Sequence, residues 1–166
     1  NIAITTYARP NRGALHAGVV HDGNAIALNG GISGNAGLFG SLNSVSAFAK
    51  AFANYELLSR KLTDLMTMCH TQSNSENRGI GWQLWSNQLN NPGRSLSKKS
   101  YGHKGFTGTS LWIDPANQVI VTLLTNSVHY YTQNNDRNHF YGFVFDFHKL
   151  ICDYLGIHTS DTRIAG

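Results

Sequence analysis

The spacing of apolar residues divides the chain into helical and strand-like stretches. Over "SLNSVSAFAKAFANYELL", Val45, Phe48, Phe52 and Tyr55 recur every three to four residues, the signature of one buried helix face. Ser41, Asn43 or Ser44 stands where a side chain would cap the first amides. "KLTDLMTMCHTQ" repeats the spacing with Leu62, Leu65, Met66 and Cys69, opened by Ser59. "IGWQLW" predicts a short aromatic strand, and "SNQLNNPGRS" a turn-rich connection. "KGFTGTSLWID" and "QVIVTLLTN" predict two strands joined by "DPAN", whose Asp-Pro and Asn suit a tight antiparallel turn. After the polar loop "SVHYYTQNNDRN", an aromatic helix carries Phe140, Phe143, Val144, Phe147, Leu150, Ile151, Tyr154 and Leu155 on one face. Asp136 or Asn138 is placed to begin it and Gly156 to end it.

The first forty residues, including "GVVHDGNAIALNGGISGNAGLFG", follow neither period and read as loop with short local structure. A loop this long is usually functional or packed on something larger. Helices, then an antiparallel meander, then a closing helix that packs on the sheet make an α+β domain.

Composition narrows the function classes. The 166 residues suffice for one domain with a real core. Charged residues make up 13%, about half the usual share, so surface polarity falls to Asn, Ser, Thr and Gln. A net charge of +4 without a basic block points away from nucleic acid, Lys98-Lys99 and Arg9/Arg12 being the densest basic spots. No apolar run approaches the roughly 20 residues a membrane span needs. Position 1 is Asn rather than Met and no signal peptide follows, which leads us to expect a processed or truncated chain. Cys69 and Cys152 have apolar neighbours and read as buried helix thiols, with a disulfide left open.

"GVVHDGNAIALNGGISGNAGLFGSLNSVSAFAKAF" resembles the stretch of serine β-lactamase-related proteins that ends in Ala-Gly-Leu-Phe and enters a helix. "YGHKGFTGTSLWIDPANQVIVTLLTNSVH" resembles that family's final catalytic strand and following hairpin. The two matches stand in the family's order and spacing, from about His16 to Thr125, and the last helix falls where the family has one. The resemblance implies a penicillin-recognising fold, with residues 1–166 as the C-terminal portion of one domain. It implies a serine hydrolase acting through an acyl-enzyme on a β-lactam, a D-Ala peptide or an ester, extracytoplasmic and needing no cofactor.

The family's third motif maps onto His103, Lys104 and Gly105. Gly105 would keep the strand edge open for a substrate backbone. Phe106 would give its N–H to the oxyanion hole. His103, where β-lactamases carry Lys, would bind a substrate carboxylate or bond to the nucleophile's neighbours. Lys104 replaces the usual Thr or Ser and, with Thr107, is the substrate-binding position implied. Strand alternation puts His103 and Gly105 opposite Lys104, so Lys104 lies either in the cleft or on the surface.

The family's nucleophile and base come from Ser-x-x-Lys and Tyr-x-Asn, upstream of Ala-Gly-Leu-Phe. "SLSK" (Ser95–Lys98) fits the first by letter but sits in a turn-rich connector, and no tyrosine here satisfies Tyr-x-Asn. We therefore expect the rest of the site upstream, and an exposed face met by that portion or by self-association. An inactive relative that binds peptidoglycan or another partner is the alternative, motivated by Lys104. His21-Asp22, with His16 before it, lacks the spacing of a metal site and reads as a structural pair or a wall of the cleft. Trp82, Trp85 and Trp112 read as core or cleft wall.

Overall fold

The computed structural model describes residues 17–71, 76–129 and 137–157. Three helices precede the sheet: α1 (Gly23–Asn29), α2 (Leu42–Ala53) and α3 (Arg60–Thr67). The strands β1 (Gln83–Leu84), β2 (Tyr101–Lys104), β3 (Ser110–Asp114) and β4 (Val119–Leu123) form an antiparallel meander in chain order. Helix α4 (Arg137–Tyr154) closes the fold against β4 and a 3-10 turn, Pro92–Ser95. The architecture is the α+β arrangement that the periodicity predicts.

Cross-strand register explains two cores. Gly102 pairs with Trp112 and Lys104 with Ser110, so these four side-chain positions share one face; Tyr101, His103, Leu111 and Ile113 share the other. On the second face Phe52 of α2 packs against Trp82, Tyr101 and Ile113, with ring centroids 5.0 Å from Trp82 and 6.0 Å from Tyr101. On the first face Trp112, fully buried, packs with Leu96 and Cys152. Its indole fills a slot between two glycines: a Cβ on Gly93 would lie 2.1 Å from its ring, and one on Gly102 2.5 Å.

Ser41 caps α2 through a reciprocal box with Ser44, as the sequence suggests. The helix stops at Ala53, and Tyr55, beyond it, takes a left-handed φ of 62°. Helix α1 lies inside the stretch read as loop. It is opened by Asp22, whose carboxylate accepts from Ala25 N–H at 2.7 Å, and ended by left-handed Gly30.

Two expectations are corrected. Helix α3 ends at Thr67, so Cys69 is neither helical nor buried; it is an exposed thiol bonded to Thr71. That hydrogen bond to the Thr71 backbone, with one to its side chain, holds the thiol below its ordinary range. Cys152 is buried, as expected, and both cysteines are free. Burial pushes its thiol up to about 11, reinforced by Asp114 and Asp153. The buried stripe of α4 also differs from the predicted face: it runs Val144, His148, Cys152, while Phe143, Leu150 and Tyr154 face outward. Polar bonding rotates the helix, since His148 Nε2 meets Ser110 Oγ at 2.7 Å beneath the sheet. Gly156 ends α4 with φ 68°, Asn138 lies within its first turn, and Asp136 falls outside the described residues.

His148 gives the fold a pH dependence. Burial alone pushes its imidazole down to about 4, from 6.5, and Nδ1 has no partner among the described residues. The unfolded chain therefore binds the proton more readily between these values. This contribution is fully present above pH 6.5 and is lost as pH falls towards 4, amounting to about 3 kcal/mol at 1.36 kcal/mol per unit. Urea unfolding at pH 7 and pH 4.5 should show this loss in the wild type and a visibly smaller one in His148→Gln. Equal losses in both proteins would refute the assignment.

Candidate active site

The connection between β2 and β3 sets the geometry. Gly105 N–H donates to Thr109 O at 2.7 Å, and Gly108 N–H to Gly105 O at 3.0 Å. Phe106 and Thr107 have no positive φ, whereas Gly108 sits at φ 88°. This is a three-residue hairpin loop, a type I turn followed by a left-handed glycine. The long strand expected from Lys104 to Asp114 is thus a strand end, a turn and a second strand. Its "GFTG" is the turn, and the last glycine supplies the conformation a side chain would resist.

The loop is held on two sides. Thr107 O accepts from Ser127 N–H at 2.9 Å and from Thr125 Oγ1 at 3.0 Å. Phe106, half exposed, stacks on His21 with centroids 5.3 Å apart. His21 therefore stands beside the hairpin while Asp22 caps α1, the structural role expected of the pair.

On the outer side of β2, β1 pairs only with Tyr101 and Gly102. Among the described residues no strand pairs with His103, Lys104 or Gly105 on that side. The open edge begins at the residue where the family motif begins.

At that edge His103 is exposed and ordered by two bonds. Nδ1 lies 2.7 Å from Lys104 O and Nε2 3.1 Å from Arg78 Nη1. A carbonyl only accepts and a guanidinium only donates, so in these two bonds Nδ1 is the donor and Nε2 the acceptor. Glu76 in turn holds Arg78, its Oε2 accepting from Nε at 2.8 Å and Nη2 at 2.5 Å. Gly79 N–H bonds to Trp82 O around left-handed Gly81, and Arg78 bridges Gln83, which itself pairs with Gly102. This folds Arg78 back onto β2 across 25 residues of sequence. The hydrophobic pattern leaves Arg78 in a polar break; only the pairing of "IGWQLW" with the His103 strand would have brought it to the site.

Lys104 lies on the Trp112 face, half-buried, with Nζ donating to Asn90 O at 2.7 Å. Burial, with Arg78 adding to it and Glu76 opposing, holds its ammonium below the usual lysine range. Ser95 and Lys98 do not form a catalytic pair. Ser95 ends the 3-10 turn and Lys98 Nζ lies over Trp85, 5.4 Å from its centroid. Between them, Ser97 donates from Oγ and N–H to Asp114, a fully buried carboxylate. Burial works against that ionisation, but the bonds from Ser97 and Asn117 outweigh it and hold the carboxyl below its usual range.

The sequence profile of the family described as Beta-lactamase matches residues 3–144. The chain belongs to the Beta-lactamase family. This family member is 33% identical over 129 residues to a protein of Escherichia coli O157:H7 named "Putative D-alanyl-D-alanine carboxypeptidase". The match covers 72% of the chain and 29% of that relative. A protein of the same name from Salmonella gallinarum is 36% identical over 120 residues, covering 68% of the chain and 27% of the relative. The chain thus spans under a third of the length of these curated relatives. Among solved structures, a beta-lactamase from Mycobacterium bovis superposes with a TM-score of 0.59 at 13% identity, over 74% of this chain and 46% of that one. At that identity the likeness concerns the fold, and it is a β-lactamase-like fold.

Proposed function

We propose that the described residues build one wall of the active site of a serine hydrolase that cleaves an amide or ester through an acyl-enzyme. The observation that carries the reading is the β2 edge, which opens at His103 and runs into the Gly105–Thr109 hairpin. An extended substrate can add its backbone along that edge, as peptides do on exposed strands. His103 would meet its polar end, Gly105 would let it approach, and Phe106 N–H would stabilise the oxyanion. A Cβ on Gly105 would lie 2.1 Å from Thr109 Oγ1, so a larger residue there would disturb the hairpin as well as the edge.

Ser, Lys and Tyr of the nucleophilic centre would come from chain outside these residues, since Tyr-x-Asn is absent from the sequence and "SLSK" serves the β3 end. The same outside chain would cover the apolar side chains that α1 and its neighbourhood expose, Leu28 at 79% and Leu38 at 97%. The relatives' names favour a D-alanyl-D-alanine peptide as substrate, and the family resemblance an extracytoplasmic setting. Among the described residues no helix is long and apolar enough to cross a membrane. At Lys104, where the family motif usually has a hydroxyl, Nζ is held by Asn90 O.

Fluorescent penicillin applied to the natural full-length protein tests the proposal. Covalent label on a serine of a Ser-x-x-Lys motif is expected. An unlabelled protein, or one whose reading frame lacks that motif, would overturn it.

A further inference from the structure

The position that β-lactamases fill with lysine holds a histidine here, and a permanent cation lies 3.1 Å from its Nε2. Arg78 has five N–H donors. Three are engaged, Nε and Nη2 by Glu76 and Nη1 by His103, which leaves one on each Nη nitrogen without a partner among the described residues. The side chain is about a third exposed, by the 34% accessibility of its atoms, and stands at the start of the open β2 edge. Glu76 fixes the guanidinium plane from one side and His103 from another, so little rotamer freedom remains to be lost on binding an anion.

Among the described residues, Glu76 and Lys104 are charged groups coupled to this point, both Glu76 and Arg78 acting electrostatically on Lys104, and His70 and Cys69 border the Arg78 backbone. A carboxylate arriving along the edge meets a cation that cannot be deprotonated. We infer that Arg78, held by Glu76 and His103, is the specificity-determining residue that reads a carboxylate on the substrate of this site. His103 then acts as a positioning residue for Arg78 as well as a wall of the cleft. The inference rests on the reading of the β2 edge as a substrate site.

Binding of N-acetyl-D-alanyl-D-alanine and of its C-terminal amide to the natural full-length protein, followed by NMR titration, tests it. The acid should bind more tightly than the amide by about tenfold to a hundredfold, the range for a hydrogen bond to a charged group. Arg78→Gln should bring the two within about twofold, and Arg78→Lys, which keeps the charge without the planar fork, should lie between. The preference should hold from pH 6 to pH 8; a preference that fades as imidazole loses its proton would assign the anion to His103 and overturn the inference. Equal binding of acid and amide by the wild type, absence of binding by both, or equal weakening of both by Arg78→Gln would also overturn it. Binding needs no acyl transfer, so the two proposals fail separately. An unlabelled protein with an Arg78-dependent preference loses the hydrolase reading alone, and a labelled protein without the preference loses the role of Arg78 alone.

Discussion

Phe106→Pro in the full-length protein should slow acylation by fluorescent penicillin by about 10²–10³, the usual effect of deleting one oxyanion donor. Phe106 occupies the second position of the Gly105–Gly108 turn, a type I turn in which proline is favoured. Proline there removes the N–H while keeping the turn, and Gly105 before it, just beyond the end of β2, is a glycine that readily takes the extended backbone a following proline favours. Phe106→Ala keeps the N–H and loses the stacking on His21, worth about 0.5–1.5 kcal/mol in an aromatic pair, so its rate should fall at most about tenfold. The labelling rate constants of the two variants separate backbone from ring. Proline labelling at the wild-type rate would remove Phe106 from the chemistry; alanine failing as badly as proline would mean that the ring matters more than the N–H.

The second large effect concerns the indole slot. Trp112→Ala should destabilise the protein by about 3–5 kcal/mol, as for other buried large aromatics. Gly93→Ala should also destabilise it, by about 1–3 kcal/mol, because its new methyl would press on the Trp112 ring. All three of the nearest atoms to that methyl belong to Trp112. In a Trp112→Ala background the same change should therefore be close to neutral, giving a coupling of the order of the single-mutant effect. Gly102 borders the other end of the ring, but a Cβ there would also lie 2.2 Å from Leu111 O, so Gly102→Ala should stay harmful in either background. Denaturant midpoints of the four Gly93/Trp112 combinations decide the matter. Additive losses would show that the ring and the 3-10 turn do not share the space.

Helices were legible where one periodic face coincides with a cap, as in α2 with Ser41, and the family strand was legible from its motif. Three features were hidden for physical reasons. The "GFTG" turn lies within apolar residues that favour a strand, and only the left-handed glycine breaks it. The buried stripe of α4 passes through a histidine because Ser110 supplies a hydrogen-bond partner from a distant strand. Arg78 reaches His103 through strand pairing, which a local pattern of polar residues does not encode. Of the candidate residues, the structure places His103, Gly105, Phe106 and Thr107 along one strand end and its turn, and puts Lys104 on the opposite face.

The meander has a kinetic consequence. The β2–β3 and β3–β4 pairs each close across a short loop, whereas the β1–β2 connection is long and contains the 3-10 turn, and short hairpins form in about 1–10 μs. The wall holding Gly105 and Phe106 is the tightest of these closures, five residues from Gly105 to Thr109. Arg78 is brought to β2 through the β1 pairing, and α4 comes from beyond β4. Loop-closure entropy therefore favours forming the Gly105–Thr109 turn before the contact of Arg78 with His103.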